Sequence, residues 1–192
     1  MVQQPPEPSG AVNIVRNWDE HQLHVPDRDD VLPWALALAR LDAARLYWHV
    51  TQAGEPAGPV AHVRPVFGVV CDGVMCSTSA ASARKTERLA RDARCTLAAS
   101  SDDLDLVYEA TATLVDDVDQ AQRIADAYRR KYGWPVEVTG DAAFDAPFAA
   151  PSAGPPPFLV YAFEPITVRG FGTDERMARR STRWDFGERA SR

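Results

Sequence analysis

The sequence predicts a mainly β fold with peripheral helices: a small closed or split barrel of six or so mostly antiparallel strands. Three observations predict it. From Leu104 to Val115, apolar Leu106, Tyr108, Ala110, Ala112 and Leu114 alternate with Val107, Glu109, Thr111 and Thr113, the period of a strand with one packed and one wetter face. Asp72-Gly73 separates Val69-Val70-Cys71 from Val74-Met75-Cys76-Ser77, a strong two-residue hairpin signal. The strand-like runs are mostly joined by hairpins, with only two or three helical stretches beside them, so a sheet closed on itself is the economical way to bury them.

The elements follow in chain order. Residues 1–28 open with Met1-Val2-Gln3-Gln4-Pro5-Pro6, which has neither a basic start nor an apolar segment, so no signal peptide is expected and the segment reads as flexible. His21 and His24 lie within it without a nearby Cys or third ligand, which favours a surface role over a metal site. Leu32, Leu36, Leu38, Ala39 and Leu41 give a helix over 29–46, with Pro33 in its first turn after Asp29 and Asp30. Tyr47 to Thr51 is an aromatic and β-branched strand, followed by a Gly/Pro-containing loop over 52–59. Val60 to Val70 is a long strand in which Pro65 demands an edge, a bulge or a bend.

After the hairpin, Ser82 to Asp92 reads as a short amphipathic helix and Cys95 to Ala99 as a strand. Asp116 and Asp117 open a helix over Val118–Tyr132, with Arg129-Arg130-Lys131 near its end and Gly133 to stop it. The Pro-rich segment 135–157 reads as a long loop, and Phe158 to Arg169 as the final strand. A barrel domain over 29–169 and a tail over 170–192, packed on the barrel or in a dimer groove, complete the organisation.

At 192 residues the chain fits one domain with its own core. A net charge of −6 argues against general nucleic-acid binding, and no apolar run approaches the ~20 residues of a membrane helix. A cytoplasmic location is expected by elimination. Cys71, Cys76 and Cys95 form no CxxC pair and read as reduced core residues.

Of the 21 basic residues only Lys85 and Lys131 are Lys. Either codon bias favours Arg and the two Lys stand by chance, or Lys85 stands where a compact point charge suits a phosphate better than a planar fork. It follows Arg84 in the first turn of the short helix, with Arg88 one turn on. An isolated helix disfavours cations at that end and like charges at i,i+4. A bound phosphate reverses that sign, because free N–H groups and cations then face one anion. Hydroxyls of Ser77, Thr78, Ser79 and Ser82 supply further donors, and His62 shares a strand face with Arg64. The alternative is solvated arginines beside serines that cap the helix.

The succession Tyr47-Trp48-His49-Val50-Thr51, His62-Val63-Arg64-Pro65-Val66, Asp72-Gly73, Ser77-Thr78-Ser79, Arg84-Lys85, Leu89 and Leu106 to Ala112 resembles the pyridoxamine 5'-phosphate oxidase-like flavin-binding split-barrel proteins over residues 33–169. The resemblance implies a homodimer of split barrels with flavin in the groove between subunits. It implies that Arg64, Ser77, Thr78, Arg84 and Lys85 hold the FMN phosphate, while the main chain at Pro65-Val66 lies along the isoalloxazine. Ser181 to Phe186 is similar to the tail that reaches the cofactor or substrate in several relatives, giving Trp184 a stacking role and Arg183 an anion-binding one. Plain dimer packing is the alternative for that tail.

The Arg/His substrate motif of authentic pyridoxamine-phosphate oxidases is missing after Phe171, so vitamin B6 oxidation is not expected. What the resemblance implies is an FMN-dependent oxidoreductase acting on a small molecule. No side chain need act as catalyst, since the flavin performs hydride transfer. Related proteins use the deazaflavin F420, for which Arg88, Arg91 and the Arg-rich tail would supply a basic groove. Others carry flavin or haem without turnover.

Overall fold

The computed structural model describes residues 5–15, 29–52 and 61–187. Its first elements are β1 (Gly10–Asn13), α1 (Trp34–Ala43) and β2 (Tyr47–Thr51). α1 starts directly after Pro33, whose φ of −60° and extended ψ of 137° suit the residue before a helix. The predicted strand from Val60 to Val70 is divided by Phe67 into β3 (His62–Val66) and β4 (Gly68–Cys71). β5 (Val74–Ala80) returns through a turn in which Asp72 and Gly73 have φ of 53° and 74°. Two left-handed residues of this kind match the twist of the flanking strands.

Next come α2 (Arg84–Arg91), β6 (Arg94–Ser100), β7 (Leu104–Leu114) and α3 (Val118–Tyr132). Asp117 caps α3 by accepting from the Gln120 amide at 2.6 Å, and the helix ends at left-handed Gly133. β8 (Glu137–Val138) and β9 (Phe144–Asp145) form a small ladder inside the segment expected to be a plain loop, because buried Phe144 anchors it. The chain closes with β10 (Phe158–Gly172), α4 (Glu175–Ala178) and β11 (Thr182–Asp185).

All strand pairs are antiparallel, in the order β4-β5-β10-β7-β6-β2-β3. β3 pairs with β2 at one end of that series and β4 with β5 at the other. The bend at Phe67 thus carries one chain segment across both ends and closes the sheet into a split barrel. Pro65 sits in β3, whose ladder partner is β2, as its missing N–H requires. Gly68 follows the bend because a Cβ there would come within 2.1 Å of the Met75 methyl and 2.9 Å of the Cys76 carbonyl.

Two apolar clusters result. Tyr47, Met75, Leu97, Leu106, Tyr108 and Phe163 fill the barrel, and Trp34 and Leu41 of α1 pack on them. The other face of β5 and β10 meets α3 through Val74, Cys76, Val160 and Ala162 against Ile124 and Tyr128. Alternation along β7 buries Leu106, Tyr108, Ala110 and Ala112 as predicted, while Leu114 at its end is 49% exposed. The cysteines are free, with Cys76 and Cys95 buried, and burial raises their thiols, that of Cys95 to about 12.

The terminal segments are built differently from the expectation. Gly10–Asn13, within the segment read as flexible, pairs with β11, a four-residue strand too short for periodicity to reveal. The tail is part of the sheet, because β11 pairs with both β10 and β1 and is anchored by buried Met177 and Trp184. Among the described residues no helix is long and apolar enough to cross a membrane.

Candidate functional site

α2 lies against β2 and β5 at one end of the barrel. Leu89 is its buried residue. Thr86 Oγ1 donates to the Ala80 carbonyl at 2.8 Å and bonds Ser79 Oγ at 2.9 Å, while Lys85 Nζ donates to the Thr78 carbonyl at 2.9 Å. These bonds fix the first turn of α2 on β5. Ala83, the residue before the helix, offers no side-chain cap, so serine capping does not account for the Ser/Thr cluster.

The β2–β3 register sets His49 opposite Arg64 and Thr51 opposite His62. Directly paired residues point to the same face, so all four side chains share the face on which α2 packs. The His62 imidazole is held below its ordinary 6.5, first by burial and then by the charges of Arg88, Arg64, Arg84 and Lys85. Burial lowers His49 to about 3, with Lys85 and His62 adding to the effect. Burial also lowers Lys85 to about 8.

Among the described residues no ion pair engages Arg64, Arg84, Lys85 or Arg88. Arg64 Nη1 donates to the neighbouring Val63 carbonyl at 2.9 Å and is otherwise turned to solvent. Both ring nitrogens of His49, Thr51 Oγ1 and Arg88 Nη1 are buried without a hydrogen-bond partner among the described residues. A buried polar atom left unpaired costs about 1–3 kcal/mol. A corner with surplus positive charge and orphaned donors therefore fits a phosphate-bearing group.

The bend beside this corner is tied to α3. The Phe67 carbonyl accepts from Ser77 Oγ at 2.9 Å and Tyr128 Oη at 3.0 Å. The Gly68 carbonyl accepts from Tyr132 Oη at 2.8 Å and Lys131 Nζ at 3.0 Å. Pro65-Val66 thus leads into a fixed main-chain segment. On the outer face of β2 and β3, Trp48 pairs with Pro65, and Trp48 and Val63 are 51% and 42% exposed. A cleft of about 510 Å³ lies beside Trp48, bounded by Arg45, Leu46, Ser101 and Asp102.

The structure brings His62, Arg64, Arg84 and Lys85 together, with Pro65 and Val66 on the same strand as His62 and Arg64. Other expected contacts are placed elsewhere. Ser77 and Ser79 point into the barrel and spend their hydroxyls on Phe67 and Thr86. Thr78 meets Lys85 through its carbonyl, while its side chain alternates onto the face of Cys76 and Ala80. Trp184 is 1% exposed, donates to the Leu32 carbonyl at 3.1 Å and packs 5.7 Å from the Trp34 ring. It is a core residue with no free face for stacking. Arg183 pairs with Asp185 at 3.0 Å on β11, across the sheet from β3.

His49 and Thr51 are the site residues that sequence reading did not select, while Arg88 entered it only beside Arg84 and as part of a basic groove for F420. The available signal was Tyr47-x-His49-x-Thr51, two polar residues spaced at a strand's period on an apolar face. Among the described residues no group of three metal-ligating side chains occurs, and His21 and His24 lie outside them.

No family model matches the chain, and neither does any curated protein. Solved structures do match in fold. A conserved hypothetical protein of Mycobacterium tuberculosis has a TM-score of 0.57 at 18% identity, covering 76% of this chain and 88% of that one. An FAD binding protein of Mycobacterium smegmatis has a TM-score of 0.52 at 12% identity, over 74% of this chain and 98% of that one. A candidate pyridoxamine 5'-phosphate oxidase of Listeria innocua has a TM-score of 0.51 at 17% identity, over 70% and 94%. At these identities the likeness is one of fold, and it agrees with the split barrel built from the strand pairing.

Proposed function

We propose that this chain is an FMN-dependent oxidoreductase of the pyridoxamine 5'-phosphate oxidase-like kind, acting in the cytoplasm on a small molecule. One observation carries the reading: Arg64, Arg84, Lys85 and Arg88 converge around His62 with no ion pair among the described residues. The fold it shares with flavin-binding proteins of known structure supports the reading. A flavin, when bound, supplies hydride transfer. Arg64, Arg84 and Lys85 bind its phosphate, and the segment from Pro65 to Phe67, held by Ser77 and Tyr128, orients the ring. His62 stays neutral and donates one hydrogen bond to the phosphate.

The apolar outer face made by Leu46, Trp48 and Val63 is covered in this reading by a second copy of the chain, which completes the groove. A monomer at micromolar concentration with flavin bound, seen by sedimentation, would contradict that arrangement. For the cofactor itself, purified protein is denatured and the released chromophore identified by absorption, fluorescence and mass. FMN is expected; colourless protein that also fails to bind FMN on titration excludes the reading.

The deazaflavin F420 is a second reading, favoured by the run Arg84, Arg88 and Arg91 along one side of α2, none of them in an ion pair among the described residues. Its longer acidic tail would follow that run, and the released chromophore separates it from FMN by mass.

A further inference from the structure

The geometry points to an inner anion subsite, made of Thr51 Oγ1, His49 and Arg88 Nη1, that receives the deepest oxygens of a phosphate monoester at the barrel end. The inference rests on the proposed phosphate site and deepens it, since these three residues stand beyond Arg64, Arg84 and Lys85, which hold the phosphate in that reading.

Thr51 and His49 are each 1% exposed, and with Tyr47 they occupy alternate positions on the inner face of β2. Neither ring nitrogen of His49 nor the Thr51 hydroxyl has a partner among the described residues. Tyr47, on the same face, has one: its hydroxyl donates to the Leu41 carbonyl. The deficit is therefore local to the part of β2 that α2 crosses.

Arg88 comes from the opposite wall. Its Nη1 is equally buried and unpartnered among the described residues, and its charge is the first to act on His62. His62 in turn stands opposite Thr51 in the ladder. One strand face and the helix that packs on it thus hold four polar atoms unpaired among the described residues, with the His49 ring edge-on to Phe163 at 5.2 Å. An arginine Nη1 brings donors and no acceptor, so it cannot accept from the Thr51 O–H or the His49 N–H. An oxyanion serves the three donors, because its oxygens accept from the guanidinium, the hydroxyl and one imidazole N–H together, leaving only the unprotonated His49 nitrogen unserved. Burial keeps His49 neutral, with one N–H to give. The outer cations Arg64, Arg84 and Lys85 would then set the total charge, and the inner donors the depth and orientation of the phosphate.

An unpaired buried donor destabilises the ligand-free fold, whereas a donor satisfied by structure alone stabilises it. Thr51→Val keeps the shape and deletes the hydroxyl, and Arg88→Met keeps the stem and deletes the charge. Each variant and the wild type are titrated with FMN and with inorganic phosphate, and each is melted without ligand. The expected result is an FMN Kd raised about tenfold in Thr51→Val and more in Arg88→Met, with the ligand-free Tm of Thr51→Val equal to or above that of wild type. Unchanged FMN and phosphate affinity in both variants overturns the subsite, whatever their melting points, and leaves the phosphate site of the outer cations standing. A wild type that binds neither FMN nor phosphate removes the proposed function and the subsite with it.

Discussion

Lys131 Nζ donates to the Gly68 carbonyl over 3.0 Å and thereby ties the last turn of α3 to the bend that closes the barrel. The same amine donates to Tyr47 Oη at 2.8 Å and lies 5.0 Å and 5.3 Å from the centres of the Tyr47 and Tyr132 rings. Both lysines of the chain are thus partly buried and bonded to carbonyls, one at the phosphate corner and one beneath the bend. A compact ammonium on a flexible stem suits such carbonyl contacts better than a rigid guanidinium fork, which gives a physical reason for two lysines among so many arginines.

Lys131→Met keeps the stem and removes two hydrogen bonds, a loss of about 1–3 kcal/mol and a fall in Tm of roughly 3–10 °C for a chain of this size. The gap to wild type is expected to widen with pH. Burial holds Lys131 at about 8 against its ordinary 10.5, so between those values the folded state binds fewer protons than the unfolded one. Stability contributed through this group therefore rises with pH in that window. Raised cysteine and tyrosine pKa values act oppositely in both proteins and cancel in the comparison. Denaturant titrations at pH 7.5 and 9.5 measure the gap; one that is constant or shrinking contradicts the assignment.

Arg64→Met separates binding from folding. The side chain is exposed and, among the described residues, its hydrogen bond is to the adjacent Val63 carbonyl, so stability is expected to stay within about 0.5 kcal/mol. A charged hydrogen bond to phosphate is worth about 1.5–3 kcal/mol, so the FMN Kd should rise roughly 10- to 150-fold. Isothermal titration beside thermal melting gives both numbers, and equal affinity in the two proteins rules Arg64 out as a ligand.

The barrel was legible because its evidence is local. The Asp72-Gly73 turn, the alternation along β7 and the boundaries of α3 each depend on residues adjacent in sequence. The corner formed by His62, Arg64, Arg84 and Lys85 was legible for a related reason, since a single hairpin connects its two halves. The tail was misread because Arg183 and Trp184 look functional as a pair. What decides their role is a distant partner, Trp34 and the Leu32 carbonyl, 152 residues away in the case of the Trp184 hydrogen bond. His49 and Thr51 were passed over for the opposite reason: a polar residue on a strand is ordinary until burial shows it unpaired.

Trp184→Phe tests that correction. Trp184 is 1% exposed and its indole N–H is satisfied by Leu32, so shortening the ring leaves a void and an unpaired carbonyl. A loss of about 2–4 kcal/mol is expected, read as a lower denaturation midpoint with an unchanged m value. Cofactor affinity should remain within about twofold of wild type, which is within the noise of such comparisons. Weakened FMN binding at intact stability would restore Trp184 to the cofactor.

On the proposed reading, Lys85 sets the pH dependence of cofactor binding. Burial places the free amine at about 8, whereas a phosphate dianion beside it favours the ammonium form. Binding therefore takes up a proton once the pH exceeds that value. Affinity is complete below about pH 8 and falls by up to about tenfold for each further pH unit. His62 is held below 6.5 and stays neutral across this range. Among the described residues of the proposed phosphate corner, Lys85 is the group placed to titrate between pH 7 and 9.5. FMN titrations over that range should give a Kd that climbs from about pH 8 in wild type. In Lys85→Arg, whose charge does not titrate, the profile should be flat, with weaker binding at pH 7 because the fork fits the site poorly. A flat wild-type profile, or a climb that persists in Lys85→Arg, would take Lys85 out of the phosphate site.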